Sequence, residues 1–517
     1  MVVFNQKWMQ KYEDWGYKVG LKIVSDHSPL LGGCANIPKP QNVSRKFQKM
    51  WISHPDFLNV VKESWSAEVN GDPAFIFMKK LKELKRILND WNWRVFGNVH
   101  VKLKEAENKD SDGNVISDQK QIAECLVNHF QKKFEEQSVT VKEELLEAVP
   151  QLIDEEDQKY LDEIFSIEEI KKTVFDMDPE SSPGPDGFSG FFYRSCWEII
   201  QQDLLAAIQF CWRRRFIPKG MNYSFLVLLP KTQGARSANQ FRPIGLSYVL
   251  FKIFTKIITT RMSSLMVKLI SPQQFAYIKG RSIQEQVMLA SELVNEMKIK
   301  RRGGNVGLKL DISQAYDSVS WEFLMKVLRK YGFSSSWCDW LIALFQSAKI
   351  SVLVNGGPSG FFSVGRGLRK GDLLSHILFV LMEDVLSINI SKLVEMGKIL
   401  PMVIRNGVHP THLFFADDVF MFCNGAKKSL KNLLSLLDDY QISSGQVINK
   451  SKSKCFVDGV SNARKQQISE VVNMDLSHFP DKYLGVILAP GRVTSSMVWP
   501  MLEQLQRKLA AWKGKLL

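Results

Sequence analysis

Cysteine is sparse and unpatterned: seven residues, at 34, 125, 196, 211, 338, 423 and 455, odd in number and without a C-x-x-C pair. That argues against a disulfide framework and against structural zinc, and it fits a reducing compartment. No stretch reaches 18 uncharged apolar residues, and no signal-peptide core opens the chain. The expectation is an intracellular protein of nucleus or cytoplasm, with no membrane partner. Internal repeats and low-complexity tracts are absent, which removes solenoids and disordered arrays. Acid is the scarcer charge, 54 Asp and Glu against 68 Lys and Arg, a net +14. An excess of that sign favours a polyanionic partner, nucleic acid before membrane. What remains is an ordinary globular composition, 45% hydrophobic over 517 residues, enough for two or three packed units.

The stretch around which the rest is organised is Leu413-Phe414-Phe415-Ala416-Asp417-Asp418-Val419-Phe420-Met421-Phe422. Apolar residues run into two adjacent carboxylates and resume after them, which predicts a hairpin with the acids at its tip. An Asp-Asp tip can be mere turn chemistry. A second strand, 306–312, ends in one more acid, Asp311. Three carboxylates at the ends of two adjacent strands repel unless a multivalent cation sits among them, as in a two-metal phosphoryl-transfer site.

Other stretches carry less individually. Asp26 and His27 form a lone acid–histidine pair in a segment too short to build a pocket. Aromatics interleaved with basic residues over 41–105 suit either nucleic-acid stacking or ordinary helix packing. Ser181–Phe188 holds two prolines and two glycines and reads as a rigid loop. A strand at 225–231 delivers Lys231, and Arg242 follows at the edge of the next apolar run. The glycine-rich, basic 365–372 is neither a Walker A nor a dinucleotide fingerprint. It precedes a long apolar helix, 373–395. His409 and His412 would point to opposite faces of a strand, against metal ligation.

In order and spacing these stretches resemble the reverse transcriptase of plant LINE-type, non-long-terminal-repeat (non-LTR) retrotransposons. The resemblance rests on Ser-Pro-Gly-Pro-Asp-Gly-Phe from Ser182, Leu-Pro-Lys from Leu229, Phe-Arg-Pro-Ile from Phe241, and Gly280-Arg281. It continues through Lys-Leu-Asp-Ile-Ser-Gln-Ala-Tyr-Asp from Lys309, Gly-Leu-Arg-Lys-Gly-Asp from Gly367, Phe-Ala-Asp-Asp, Ser-Gly-Gln-Val-Ile-Asn from Ser444, and Tyr-Leu-Gly-Val from Tyr483. It implies an α+β right-hand polymerase with a ferredoxin-like antiparallel palm and a helical N-terminal region. The implied divisions are an endonuclease remnant at 1–40, a helical extension and linker at 41–148, fingers at 149–245, palm at 246–460 and the start of a thumb at 461–517.

By the same resemblance Asp311, Asp417 and Asp418 hold two Mg²⁺, or Mn²⁺, and Lys452 protonates the leaving pyrophosphate. Lys231 and Arg242 grip the dNTP, Tyr316 stacks under its sugar and excludes a 2′-hydroxyl, and Lys370, Gly371 and Asp372 rest against the nascent pair. RNA template and DNA primer are the implied partners. Asp26 and His27 become orphans of the nuclease.

The sequence also departs from the pattern. Lys370 stands where the family has glutamine, Leu373 and His376 replace prolines, and Lys279 replaces another. Lost prolines are expected to loosen the loop, and Lys370 to set a charge against the template–nucleotide pair. A Trp/Arg-rich segment expected between about Lys104 and Asp110 is missing, and the thumb ends in its first helix. The second reading is therefore a drifted relic that at most binds nucleic acid.

Overall fold

The computed structural model describes residues 46–92 and 120–492, except 49–50, 53, 233–234, 236, 355 and 405–409. Backbone alone is described for 15–19, 30–34, 93–95, 108–109, 115–116 and 119, and a few further residues between 494 and 506 are described in full. Asp26, His27 and His409 lie outside the described residues, as does most of 498–514.

A five-stranded sheet carries the acids. Its order is His412–Phe415, Asp418–Asn424, Asn305–Asp311, Lys454–Asp458 and Leu476–Ser477. All neighbours are antiparallel except the last pair. The strands read as unbroken apolar runs because both faces are covered. Leu308, Leu310, Val419 and Met421 belong to the main core. Phe420, Phe422 and Phe456 pack on the opposite side with Leu293, Val294, Tyr483 and Leu488. Tyr483 and Leu488 come from the hairpin Asp481–Tyr483/Val486–Leu488, which therefore closes on the acid-bearing sheet.

The helix Leu373–Glu395 runs through the main core. By length and composition it could cross a membrane, but 83% of its most apolar window is buried. A helix apolar on every side is what a position inside a core demands.

A second sheet has the order Phe241–Ser247, Tyr223–Pro230, Lys349–Val354 and Gly357–Ser363. The helix Gln119–Phe134 lies over it. Ile122, Leu126, Phe130 and Phe134, spaced by four, meet Leu226, Ile350, Val352 and Phe362. Further upstream the aromatics left open by sequence turn inward. Trp51, Phe57, Trp65, Phe77 and Trp91 are buried, and the Trp65 indole donates to Asp203 at 2.8 Å. Packing, not stacking on a ligand, uses them. The rigid 181–188 loop is held by contact: a Cβ on Gly184 would sit 2.5 Å from the Ser247 backbone. Two helical regions each divide into shorter helices. The 141–176 region forms Glu143–Leu146, Glu155–Asp162 and Ile167–Asp176, and 316–331 forms Ala315–Ser318 and Trp321–Tyr331. In each case a side-chain cap restarts the helix, as Ser320 does by accepting from the Phe323 amide.

Candidate active site

Asp418 is the cross-strand partner of Asp311, and Phe415 pairs with Asp418 across the two-residue tip Ala416–Asp417. Antiparallel partners have Cα atoms about 5 Å apart and side chains on one face. All three acids thus share one corner of the sheet. Ala416 adopts φ +52°, a conformation unfavourable for a residue with a Cβ. A buried glutamine holds it there: Gln274 Oε1 accepts from the amides of Ala416 and Ala276, each at 3.0 Å. Residues 273–275 also extend the sheet. The Phe414 amide donates to the Gln273 carbonyl at 2.9 Å and the Phe275 amide to the Phe414 carbonyl at 3.0 Å.

The electrostatics of the corner are strained. Asp417 and Asp418 reach solvent, yet the walls around them desolvate both carboxyls and raise their pKa, and the neighbouring acids raise it further. Lys370 opposes this at Asp417 and Lys309 at Asp418. Among the described residues no three His, Cys, Asp or Glu side chains are gathered tightly enough to hold a metal as they stand. The donor set is nonetheless all carboxylate oxygen at one sheet corner, which suits a hard divalent cation.

Lys370 and Lys309 act on the acids directly, and further cations gather around Lys231. Lys231, at the end of the strand Tyr223–Pro230, donates to the Asn239 carbonyl at 2.7 Å. Its ammonium is destabilised by partial burial and then by Lys370, Lys452 and Arg242. Those four basic residues therefore share one field. Lys452 follows a stretch laid along the end of the strand Asn305–Asp311, where the Asn449 amide donates to the Asp311 carbonyl at 2.8 Å. The Ser453 hydroxyl accepts from the Asp311 amide at 3.0 Å.

The departures from the family pattern land differently from what sequence suggested. Lys370 does not present a bare charge: its Nζ lies 2.6 Å from Asp317 Oδ2, an atom also 2.8 Å from Lys133 Nζ. Nor do Leu373 and His376 loosen a loop. Leu373 is the first residue of the helix Leu373–Glu395, whose N-cap Asp372 accepts from the Leu374 amide at 3.1 Å. A proline at the first turn of a helix is dispensable, since its missing N–H would have been unpaired there. Burial raises the Asp372 pKa, with Arg369 opposing. Gly371 has φ +99°, and a Cβ on it would meet the Gly245 carbonyl at 3.3 Å.

His376 packs face to face on Tyr277, with centroids 4.5 Å apart, and its Nδ1 lies 3.0 Å from the Tyr316 hydroxyl. Tyr316 stacks on Phe379 at 4.3 Å. Lys279 is exposed, and Arg281 serves the fold by donating to the Ser271 and Ile270 carbonyls at 2.6 and 2.8 Å. His412 is no ligand: it is buried between the Ser387 and Thr411 hydroxyls, each at 2.9 Å, and burial depresses its pKa to about 3.

Sequence reasoning missed Gln274, Lys133 and Asp317. Asp317 closed a quoted motif without being singled out, and nothing local marked the other two.

An acid-tipped hairpin against a third acid strand, flanked by basic strands and a long core helix, defines a right-hand polymerase of the α+β class. Residues 229–488, half of the chain, match the family described as reverse transcriptase (RNA-dependent DNA polymerase), and the chain belongs to that family. It is 25% identical over 410 residues to the transposon TX1 uncharacterized 149 kDa protein of Xenopus laevis, covering 78% of this chain and 30% of that one. It is 27% identical over 339 residues to the retrovirus-related Pol polyprotein from the type-2 retrotransposable element R2DM of Drosophila melanogaster, covering 63% and 31%. A third relative, the type-1 retrotransposable element R2 polyprotein of Nasonia vitripennis, is 24% identical over 277 residues, covering 54% and 25%. The chain thus spans less than a third of the length of these relatives.

Proposed function

We propose that the chain is the RNA-directed DNA polymerase domain of a non-LTR retrotransposon of the plant LINE type, extending a DNA primer on RNA with dNTPs. Fingers then occupy 149–245, palm 246–460 and the start of the thumb 461–517, after an endonuclease remnant at 1–40 and a helical extension at 41–148. The observation that carries the reading is the shared corner of Asp311, Asp417 and Asp418, joined through Lys370 to the field of Lys231, Arg242 and Lys452.

In this reading the three carboxylates hold two Mg²⁺ ions, with Mn²⁺ as the substitute. Such ions lower the pKa of an attacking hydroxyl and neutralise phosphate charge. The protein's own part is positional. Gln274 fixes the turn that aims Asp417, and Lys231 and Arg242 attract and orient the triphosphate. Lys452 can supply a proton to the departing pyrophosphate. Tyr316, walled by Phe379, lies under the sugar. The family's departures at 370, 373 and 376 are each accommodated by a partner or a cap, which favours an enzyme over a relic.

The test is primer extension on a primed RNA with Mg²⁺. The wild type incorporates dNTPs, and Asp417→Ala loses at least about 10³-fold while retaining salt-sensitive RNA binding. A wild type that binds RNA but adds no nucleotide makes the chain a binder only.

A further inference from the structure

One carboxylate is shared by two lysines beside the nucleotide site. Asp317 is 3% exposed, and both ammonium groups contact the same oxygen, Lys370 at 2.6 Å and Lys133 at 2.8 Å. A buried carboxylate needs one such partner; stripped of both it would be left as an uncompensated charge in the interior, which is strongly destabilising. The two lysines are not equivalent.

Lys133 is the fixed one. Its side chain is 12% exposed, and its ammonium lies 5.7 Å from the ring centroids of both Phe130 and Phe134. The end of its helix is bolted to the basic glycine loop: Arg366 Nε donates to the Lys133 carbonyl at 3.0 Å and the Gly365 amide to the Phe134 carbonyl at 2.8 Å. Gly367, at φ +83°, lets that loop pass so close that a Cβ would sit 2.7 Å from the Asp317 carbonyl. Lys370 is the more open of the pair, 28% exposed. Its charge is felt at Asp417 on one side and at Lys231 on the other. It therefore stands between a buried carboxylate and the place where a triphosphate would lie.

We infer that Lys133 is a positioning residue for nucleotide binding: by keeping Asp317 neutralised, it lets Lys370 exchange that carboxylate for an incoming triphosphate. The inference rests on the reading of the site as a dNTP site. It adds a residue from the helix Gln119–Phe134, outside the matched 229–488. Without Lys133, Asp317 would depend on Lys370 alone, and releasing it to the nucleotide would strand a buried charge. Removing the charge of Asp317 removes that penalty.

The experiment uses the full chain as wild type, Lys133→Met, Lys133→Arg, Asp317→Asn and the Lys133→Met/Asp317→Asn double variant. Calorimetry with dATP and Mg²⁺ gives Kd, and primer extension gives KM and kcat separately. Lys133→Met is expected to weaken dATP by about 10-fold in Kd and KM with little change in kcat. Lys133→Arg should stay near wild type, and the double variant should recover to within about threefold. If Lys133→Met does not fold, Asp317→Asn alone still decides, since it should bind dATP at least as well as wild type. An unchanged Kd in Lys133→Met, a double variant as weak as the single one, or a weakened Asp317→Asn overturns the inference. A wild type that binds dATP but extends no primer overturns the polymerase reading only, and the Kd series still decides this one. A wild type that binds no dATP overturns both.

Discussion

The hydroxyl of Tyr316 is held from two directions, by the imidazole of His376 at 3.0 Å and through ring stacking on Phe379. Burial lowers the His376 pKa, with Asp372 opposing, which favours the neutral ring. Tyr277, itself at φ +62°, backs the imidazole. A tyrosine so braced is a harder wall than one free to swing. His376→Ala is therefore expected to reduce discrimination against ATP relative to dATP by about 10-fold, read as a ratio of kcat/KM values. Discrimination unchanged from wild type would remove His376 from that role. At this scale the sequence displayed the acids plainly, because Asp311, Asp417 and Asp418 each interrupt an apolar strand. It hid their neighbours. The partner of Lys370 is a carboxylate 53 residues away, and no periodicity relates the two. Read as a linear string, Lys370 was a misplaced charge and His376 a lost proline; each is explained by one contact in space.

Helix Leu373–Glu395 was legible as an element, since its apolar run has a clear start at Asp372 and few competitors for its length. What the pattern could not convey is that its two mid-helix acids are buried. Glu383 is fully enclosed, and burial, with a smaller contribution from the charge of Asp417, raises its pKa to about 8. Gln446, and after it Tyr440, pull the other way. An acid whose folded pKa exceeds its ordinary 4.5 binds its proton more tightly in the folded state. Its contribution to stability is full below that ordinary value and is lost as pH rises through about 8. Glu383→Gln should thus melt close to wild type near about pH 4 and progressively above it toward about pH 9, which thermal unfolding at a series of pH values will read. A gap that shrinks with rising pH would contradict the burial argument. Shorter elements were less legible. The breaks at 319–320 and within 141–176 depend on caps and on what packs outside the helix, which periodicity does not encode.

The family match and the folded body do not share a boundary. Residue 229 falls at the end of the strand Tyr223–Pro230, which lies between Phe241–Ser247 and Lys349–Val354. A piece spanning 229–488 would lose that central strand together with the helix Gln119–Phe134 that covers its sheet. It should elute as aggregate and lack a cooperative melt by near-ultraviolet circular dichroism, whereas the full chain gives one. The overall architecture was readable because motif order mirrors strand order around the acids. The docking of the N-terminal helices was not, since their aromatics suit a ligand and a core equally well. The stretch 273–275 draws these scales together. By pairing with Phe414 it seals a sheet margin that would otherwise recruit foreign chains, and through Gln274 it also aims Asp417. Solubility and chemistry are thus tied to the same three residues, so a lineage released from selection on its activity would still be punished for altering them.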